Sequence, residues 1–170
     1  MKLLLLLFMS IISGCVGKPE GVEPVSNFKI EKYLGQWYEI ARLDHSFERG
    51  LSRVTANYSM RSDGGVKVIN RGYSAENNAW KEAEGKAYFV GNTDSGYLKV
   101  SFFGPFYGAY IVFELDHEDY QYSLVSGPDK SYLWILSRNP KMNADKKSVL
   151  VTRAAELGFD TSKLIYVDHK

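Results

Sequence analysis

Eight short strand-like runs, each ended by a turn signal, constrain the fold of this chain more than any other feature. The turns carry hairpin residues, as in Asp63-Gly64-Gly65 and Gly127-Pro128, and the 12 Tyr and 9 Phe of the chain favour strands. Eight strands joined in sequence order can close into an up-and-down barrel. We therefore predict an all-β, eight-stranded antiparallel barrel with strands over 36–44, 53–62, 66–74, 80–90, 96–103, 109–116, 120–126 and 131–138.

The pattern becomes helical after the last of these runs. Asn143 is a suitable N-cap, apolar residues recur at helical spacing from Leu150 to Leu157, and Gly158 is a suitable stop. This predicts one flanking helix of roughly 13–15 residues packed on the outside of the barrel. A helical turn is expected over 29–34, and a short final strand over 164–167.

The N-terminus has the pattern of a secretion signal. Lys2 precedes a short apolar run, and Ser13-Gly14-Cys15 resembles the bacterial lipobox, in which the cysteine becomes the acylated N-terminus. Cys15 is the only cysteine, so no intramolecular disulfide can form. We expect a lipoprotein signal peptide over 1–14, a lipidated and flexible spacer over 15–27, and one domain over 28–170.

Charge excludes some partners. Removing residues 1–14 removes one cation, Lys2, which leaves 20 Lys and Arg against 20 Asp and Glu. A balanced chain gives no electrostatic reason to bind nucleic acid or an anionic membrane surface. Attachment to a membrane would depend on the acyl chains at Cys15, and stable anchoring needs more than one chain.

Trp37 and Arg138 lie on the first and last predicted strands, which are neighbours in a closed barrel. A guanidinium over an indole face is worth roughly 0.5–2 kcal/mol. Such a pair, with Gly35 as a hinge beside it, would plug one end of the barrel as a structural floor. The other end would stay open, which makes the barrel a cup for an apolar ligand.

Strand periodicity assigns the inner face of the cup, because alternate residues share a face. The small residues Ala83, Gly85 and Ala87 fall together and leave volume for a guest, although a filled core is the alternative. A polar head group would lie at the mouth near His45, Tyr107 and Lys130, and tyrosine hydroxyls of the lining could face water there. We predict that lipid contacts Val54, Ala56, Tyr58, Leu98, Val100, Phe102, Tyr110, Val112, Tyr132 and Trp134.

Catalytic and metal sites are not expected. Asp44-His45-Ser46 are adjacent on an extended chain, so their side chains point apart and cannot form a triad. His45, His117 and His169 have no His or Cys at ligand spacing, and no cofactor motif is visible. If Glu39 lies inside the barrel beside Trp37, it needs a partner such as Arg, Lys or water.

Several motifs resemble the lipocalins. Gly35-Gln36-Trp37-Tyr38 resembles the first lipocalin signature, and Ser137-Arg138-Asn139-Pro140 resembles the third, with Arg138 as the floor cation. Leu115-Asp116, with Tyr120 close behind, resembles the second signature in a weaker form and departs from its usual Thr-Asp-Tyr pattern. The segments 63–70, 101–108, 127–129 and 132–138 resemble the bacterial outer-membrane lipocalins in particular.

The resemblance implies a calyx that binds fatty acids or phospholipids, particularly lysophospholipids. It implies lipid storage or transport for envelope maintenance under stress, and no enzymatic activity. It places the protein on the outer membrane of a Gram-negative bacterium, facing the periplasm, and dimers occur in the group. Two alternatives stay open: a filled barrel that binds envelope proteins or a second copy through the aromatic segment 102–107, and a carrier of pigment, haem or isoprenoid.

Overall fold

The computed structural model describes residues 16–170, so the predicted signal peptide and Cys15 lie outside the described residues. A helical turn, α1, precedes eight long strands, and a helix, α2, follows them. A 3-10 turn over Thr161–Lys163 and a two-residue strand end the fold. The elements are α1 (Ile30–Tyr33), β1 (Gly35–Arg42), β2 (Leu51–Met60), β3 (Val66–Ser74), β4 (Ala79–Phe89), β5 (Tyr97–Phe103), β6 (Phe106–Leu115), β7 (Tyr122–Ser126), β8 (Leu133–Ser137), α2 (Ala144–Glu156) and β9 (Ile165–Tyr166).

The eight long strands close into a barrel. Each strand pairs antiparallel with the next along the chain, and β1 pairs with both β2 and β8. This confirms the predicted up-and-down barrel, although β2 and β6 begin two and three residues earlier than predicted. The predicted final strand is β9, which pairs with β1 at Ala41 and Arg42.

The long helix α2 is also where the sequence predicts it. Asn143 caps α2, since its side-chain oxygen accepts hydrogen bonds from the backbone of Asp145 at 2.8 Å and of Lys146 at 3.3 Å. Leu150 and Ala154 are buried against the outer face of the barrel. The helix therefore covers one side of the barrel.

Alternation along the strands divides the apolar residues into two cores. On β8, Leu133 and Ile135 point outward to the layer beneath α2, whereas Trp134 and Leu136 belong to the inner cluster. The inner cluster fills the lower barrel and continues into α1 through Tyr33. The side chains inside the barrel thus form one core, and those between the barrel and α2 form another.

A bulge in β1 changes the alternation. Glu39 pairs with Leu136, but the next paired residue is Ala41, opposite Ile135, so Ile40 has no partner on β8. Ile40 and Ala41 both join the outer core. As a result Glu39 and Arg42 both face the interior, three residues apart, because an extra residue in a strand shifts the faces that follow it.

The segment predicted as a flexible spacer over 15–27 is packed against the barrel from Val22 onward. Val22 is fully buried in the outer core. The backbone of Val25 donates to Val112 at 2.9 Å and accepts from Gly96 at 2.8 Å, between the start of β5 and the middle of β6. The spacer prediction is wrong for this part, because the burial of Val22 and the backbone hydrogen bonds of Val25 outweigh the flexible composition around them.

Candidate functional site in the barrel interior

One end of the barrel is closed by a cation on an indole. The Arg138 guanidinium lies 4.1 Å from the centre of the Trp37 ring. Its Nη1 donates to the Gln36 carbonyl at 2.9 Å and its Nη2 to the Lys32 carbonyl at 2.7 Å. Gly35 has a φ of +89°, a conformation that side chains rarely adopt, and a Cβ there would lie 3.5 Å from Arg138 Nη1. These contacts form the floor of the cup.

An apolar cavity lies above this floor. Its volume is only about 10 Å³, so the side chains around it nearly fill the lower barrel. An acyl chain would therefore enter by displacing side chains. The cavity is lined by Phe28, Ile30, Tyr33, Tyr58, Val66, Val68, Ala87, Leu98, Val100 and Tyr110.

Three tyrosine hydroxyls meet inside the barrel. Tyr110 shares hydrogen bonds with Tyr33 at 2.8 Å and with Tyr58 at 2.7 Å, and Tyr33 also reaches Ser123 at 3.3 Å. Burial raises the pKa of Tyr33 to about 12 and the pKa values of Tyr58 and Tyr110 well above 10. The expectation that the hydroxyls of Tyr58 and Tyr110 face the mouth is wrong, because they satisfy each other in the interior.

The structure brings most of the other predicted lining residues to the inner cluster, among them Ala56, Phe102 and Val112. The Phe102 ring lies against Gly85, where a Cβ would come within 2.8 Å of it. Val54 is buried beside Gly72, where β2 bulges. Tyr132 and Trp134 lie higher, with ring centres 6.1 Å apart.

A buried ion pair occupies the upper part of the barrel. Arg42 Nη1 donates to Glu39 Oε1 at 2.6 Å, and both side chains are almost fully buried. Arg42 Nη2 also donates to the carbonyls of Glu48 at 2.9 Å and Leu51 at 3.2 Å, which ties the β1–β2 loop (residues 43–50) to the barrel. The sequence predicted that an interior Glu39 needs a partner; only the bulge reveals that the partner is Arg42.

Glu48 extends this cluster from the β1–β2 loop. Its Oε2 accepts a hydrogen bond from Trp134 Nε1 at 3.1 Å and lies 3.0 Å from His45 Nε2. Burial and then the Glu48 carboxylate raise the pKa of Glu39 well above its usual range. Burial also raises the pKa of Glu48, but the adjacent His45 ring and the hydrogen bond from Trp134 outweigh it and leave that pKa lowered. Sequence analysis missed both Arg42 and Glu48.

Of the three residues predicted to meet a head group, only His45 lies inside the mouth. Tyr107 is on the outer surface, where Lys99 lies 5.1 Å from its ring centre. Lys130 points toward the end of α2, since a Cβ on Gly158 would lie 3.2 Å from its Nζ. The head-group prediction is therefore wrong for both Tyr107 and Lys130. Tyr107 points outward because the odd-numbered residues of this part of β6 face the outside of the barrel.

The rim of the open end exposes aromatic side chains. Phe103 and Phe106 flank the β5–β6 turn and are 79% and 70% exposed. Phe47 on the β1–β2 loop is 56% exposed, and Trp80 at the start of β4 is 45% exposed. Four large aromatic rings thus stand in solvent around the mouth.

Residues 16–170 contain neither a metal-binding cluster nor a membrane-spanning helix. No group of three or more His, Cys, Asp and Glu side chains is placed to hold a metal ion. No helix in this part of the chain combines the length and apolar character needed to cross a bilayer.

Comparison with known proteins agrees with this geometry. The profile of the lipocalin-like domain matches residues 28–169. The outer membrane lipoprotein Blc of Vibrio cholerae is 59% identical over 166 residues, covering 98% of this chain and 97% of the relative. Blc of Escherichia coli strain K12 is 52% identical over 160 residues, covering 94% and 90%. These names agree with the predicted location on the outer membrane of a Gram-negative bacterium.

More distant relatives share the fold. The temperature-induced lipocalin-1 of Arabidopsis thaliana is 37% identical over 153 residues, covering 84% of this chain and 80% of the relative. The solved structure of insecticyanin from Manduca sexta superposes with a TM-score of 0.71 at 23% identity, covering 91% of this chain and 87% of that one. The closed barrel, the floor pair and these matches together show that the chain belongs to the lipocalin family.

Proposed function

We propose that this protein is a lipid carrier anchored to the outer membrane, which stores or transports fatty acids or phospholipids for envelope maintenance under stress. The observation that carries the proposal is the division of the interior. The lower barrel is closed by Arg138 and lined by apolar and tyrosine side chains, while the buried charged residues Glu39, Arg42 and Glu48 lie toward the mouth. An amphiphile with one apolar end and one polar end matches this division.

Burial of the acyl chain supplies the affinity. Each methylene group moved from water into the barrel contributes about 0.8 kcal/mol, less the cost of ordering the ligand and displacing side chains. The narrow cavity favours a single chain over two, so a lysophospholipid or a fatty acid fits better than a diacyl lipid. Val100 and Phe102 are half-buried beside the inner cluster, so we expect their side chains to move aside when an acyl chain enters.

Anchoring would come from acylation of Cys15. This residue lies where the lipobox resemblance puts the modified cysteine, and the relatives named Blc are outer membrane lipoproteins. A mass measurement of the protein extracted from membranes tests this point. Loss of membrane association in Cys15→Ser, with the barrel still folded, is the expected result.

Binding is tested by titrating the soluble Cys15→Ser protein, lacking residues 1–14, with lysophospholipid and long-chain fatty acid. Tryptophan fluorescence reports the binding. We expect it to saturate near one ligand per chain or per dimer. Val100→Asp places a charge in the cavity and should abolish binding while circular dichroism stays unchanged. Ser59→Asp is the control, because Ser59 is exposed on β2. Equal binding by both variants would place the pocket elsewhere.

A second candidate function follows from the exposed rings at the β5–β6 turn. Phe103 and Phe106 would form a contact surface for an envelope protein or for a second copy. Replacing both by Ser should then abolish association, measured by sedimentation, and leave lipid uptake intact. A pigment, haem or isoprenoid as cargo is tested in the same titration, by its own absorbance.

A further inference from the structure

We propose that the pocket formed by Phe47, Tyr132, Trp134 and Glu48 at the barrel mouth binds the alkylammonium head group of a phospholipid, and that the His45 ring fills this pocket in the structure. The inference rests on the proposed function, because it names the head group of the lipid whose chain would enter the barrel. In this part of the mouth, the sequence predicted only His45 as a head-group contact.

The aromatic rings surround one position. The His45 ring centre lies 3.9 Å from Phe47 and 6.0 Å from Tyr132, and it is nearly parallel to both rings. Trp134 approaches at 5.1 Å and is tilted by 54°. Ring faces attract cations, and several rings around one position are the usual way in which proteins hold a substituted ammonium group.

A carboxylate completes the pocket. Glu48 is buried, and its Oε2 lies 3.0 Å from His45 Nε2 and 3.1 Å from Trp134 Nε1. The imidazole therefore contacts the same groups that an ammonium needs, namely ring faces and one negative oxygen. Neither nitrogen of the His45 ring has a hydrogen-bond partner of good geometry among residues 16–170, so only the neighbouring rings and the 3.0 Å approach to Glu48 hold the imidazole.

The charges favour a zwitterionic head over a purely anionic one. Two carboxyl groups, Glu39 and Glu48, lie in this region with one guanidinium, Arg42, whose Nη1 and Nη2 already bind Glu39 and two carbonyls. An anion alone would meet the Glu48 carboxylate. Arg42 Nε is buried without a partner in the described part of the chain, which leaves one donor for the phosphate beside the amine.

Exchange of His45 for a ligand would take place by rotation of the imidazole out of the pocket while the loop stays in place. Arg42 holds the backbone carbonyl of Glu48, so the β1–β2 loop keeps its place when the imidazole leaves. Phe47 is more than half exposed and can move with the departing ring. The lipid amine would then take the space between Tyr132 and Trp134 and replace the contact with Glu48.

The test compares two lysolipids with the same acyl chain, lysophosphatidylethanolamine and lysophosphatidic acid, below their micelle concentrations. The ratio of their Kd values, measured by calorimetry, isolates the amine. His45→Ala vacates the pocket and should raise the preference for the amine lipid by about threefold to tenfold. Glu48→Gln should lower the preference below that of the unsubstituted protein, and Trp134→Phe should lower it less.

Asp44→Asn is the matched control. It breaks an exposed pair with Arg49 in the same loop and touches none of the rings, so the ratio should not change. An unchanged ratio in folded His45→Ala, Glu48→Gln and Trp134→Phe, with both lipids still bound, overturns this inference alone. If neither lipid binds to any form of the protein, the lipid-carrier proposal fails as well, so the two failures are distinguishable.

Discussion

Replacing Arg138 by Met should loosen the floor of the barrel. Met retains much of the apolar stem against Trp37 but removes the charge and every donor. The guanidinium makes hydrogen bonds to Gln36 and Lys32 at 2.9 and 2.7 Å, and its Nε donates to Tyr120 at 3.2 Å. The substitution therefore removes three hydrogen bonds and one cation–π contact.

The magnitude follows from these contacts. Arg138 is only half-buried, so water replaces part of each bond, and about 0.5 kcal/mol per hydrogen bond is an appropriate net value. The cation–π contact adds about 0.5–1 kcal/mol. The expected loss in the free energy of unfolding is about 2–2.5 kcal/mol, which lowers Tm by roughly 4–10 °C for a chain of this size.

Thermal and urea unfolding followed by circular dichroism provide the measurement. Arg61→Met is the control, because Arg61 pairs with Asp63 in the exposed β2–β3 turn and its loss removes the same charge. We expect no resolvable change in its Tm. If Arg138→Met lowers Tm no more than Arg61→Met does, the guanidinium does not close the floor in the way described.

Three further predictions concern buried or capping groups. Because burial raises the pKa of Glu39, the fold favours the protonated carboxyl group. The stability that this protonation contributes is fully present below about pH 4.3, the usual pKa of an unfolded Glu, and is lost as the pH rises. Glu39→Gln should therefore flatten the decline in urea stability toward neutral pH, and an unchanged slope would contradict this. In an alkaline titration followed at 295 nm, Tyr33, Tyr58 and Tyr110 should stay protonated until the barrel unfolds above about pH 10, so a full titration of all tyrosines in the folded protein would refute their burial. Asn143→Ala removes the cap of α2 and should cost about 1 kcal/mol in thermal unfolding, whereas Asn143→Asp, which can still cap, should cost less.

The sequence was most informative where one rule governs a whole strand. Alternation alone assigns Leu98, Val100 and Trp134 to the interior, because side chains two apart share a face. Hairpin turns fix the order of the strands, and order with antiparallel pairing determines the barrel. The floor contact between Trp37 and Arg138 follows from closure, since closure makes β1 and β8 neighbours.

The polar part of the mouth could not be predicted in the same way. Arg42 faces inward only because Ile40 is bulged, and nothing in the local residue types indicates a bulge there. Glu48 is on a loop, where periodicity carries no information. The position of Tyr107 next to the β5–β6 turn predicts that it lies at the mouth, but the register of β6 turns its side chain outward.

The docked N-terminal segment determines how an anchored barrel would be held. The Tyr97 hydroxyl donates to the carbonyl of Val16, the residue next to Cys15, and Val22 is already fully buried. An acyl group on Cys15 would therefore be joined to a segment that contacts the barrel at Val16 and is buried in it at Val22. The freely moving part of the tether would then be shorter than the predicted spacer over 15–27, which would limit how far the barrel could turn relative to the membrane.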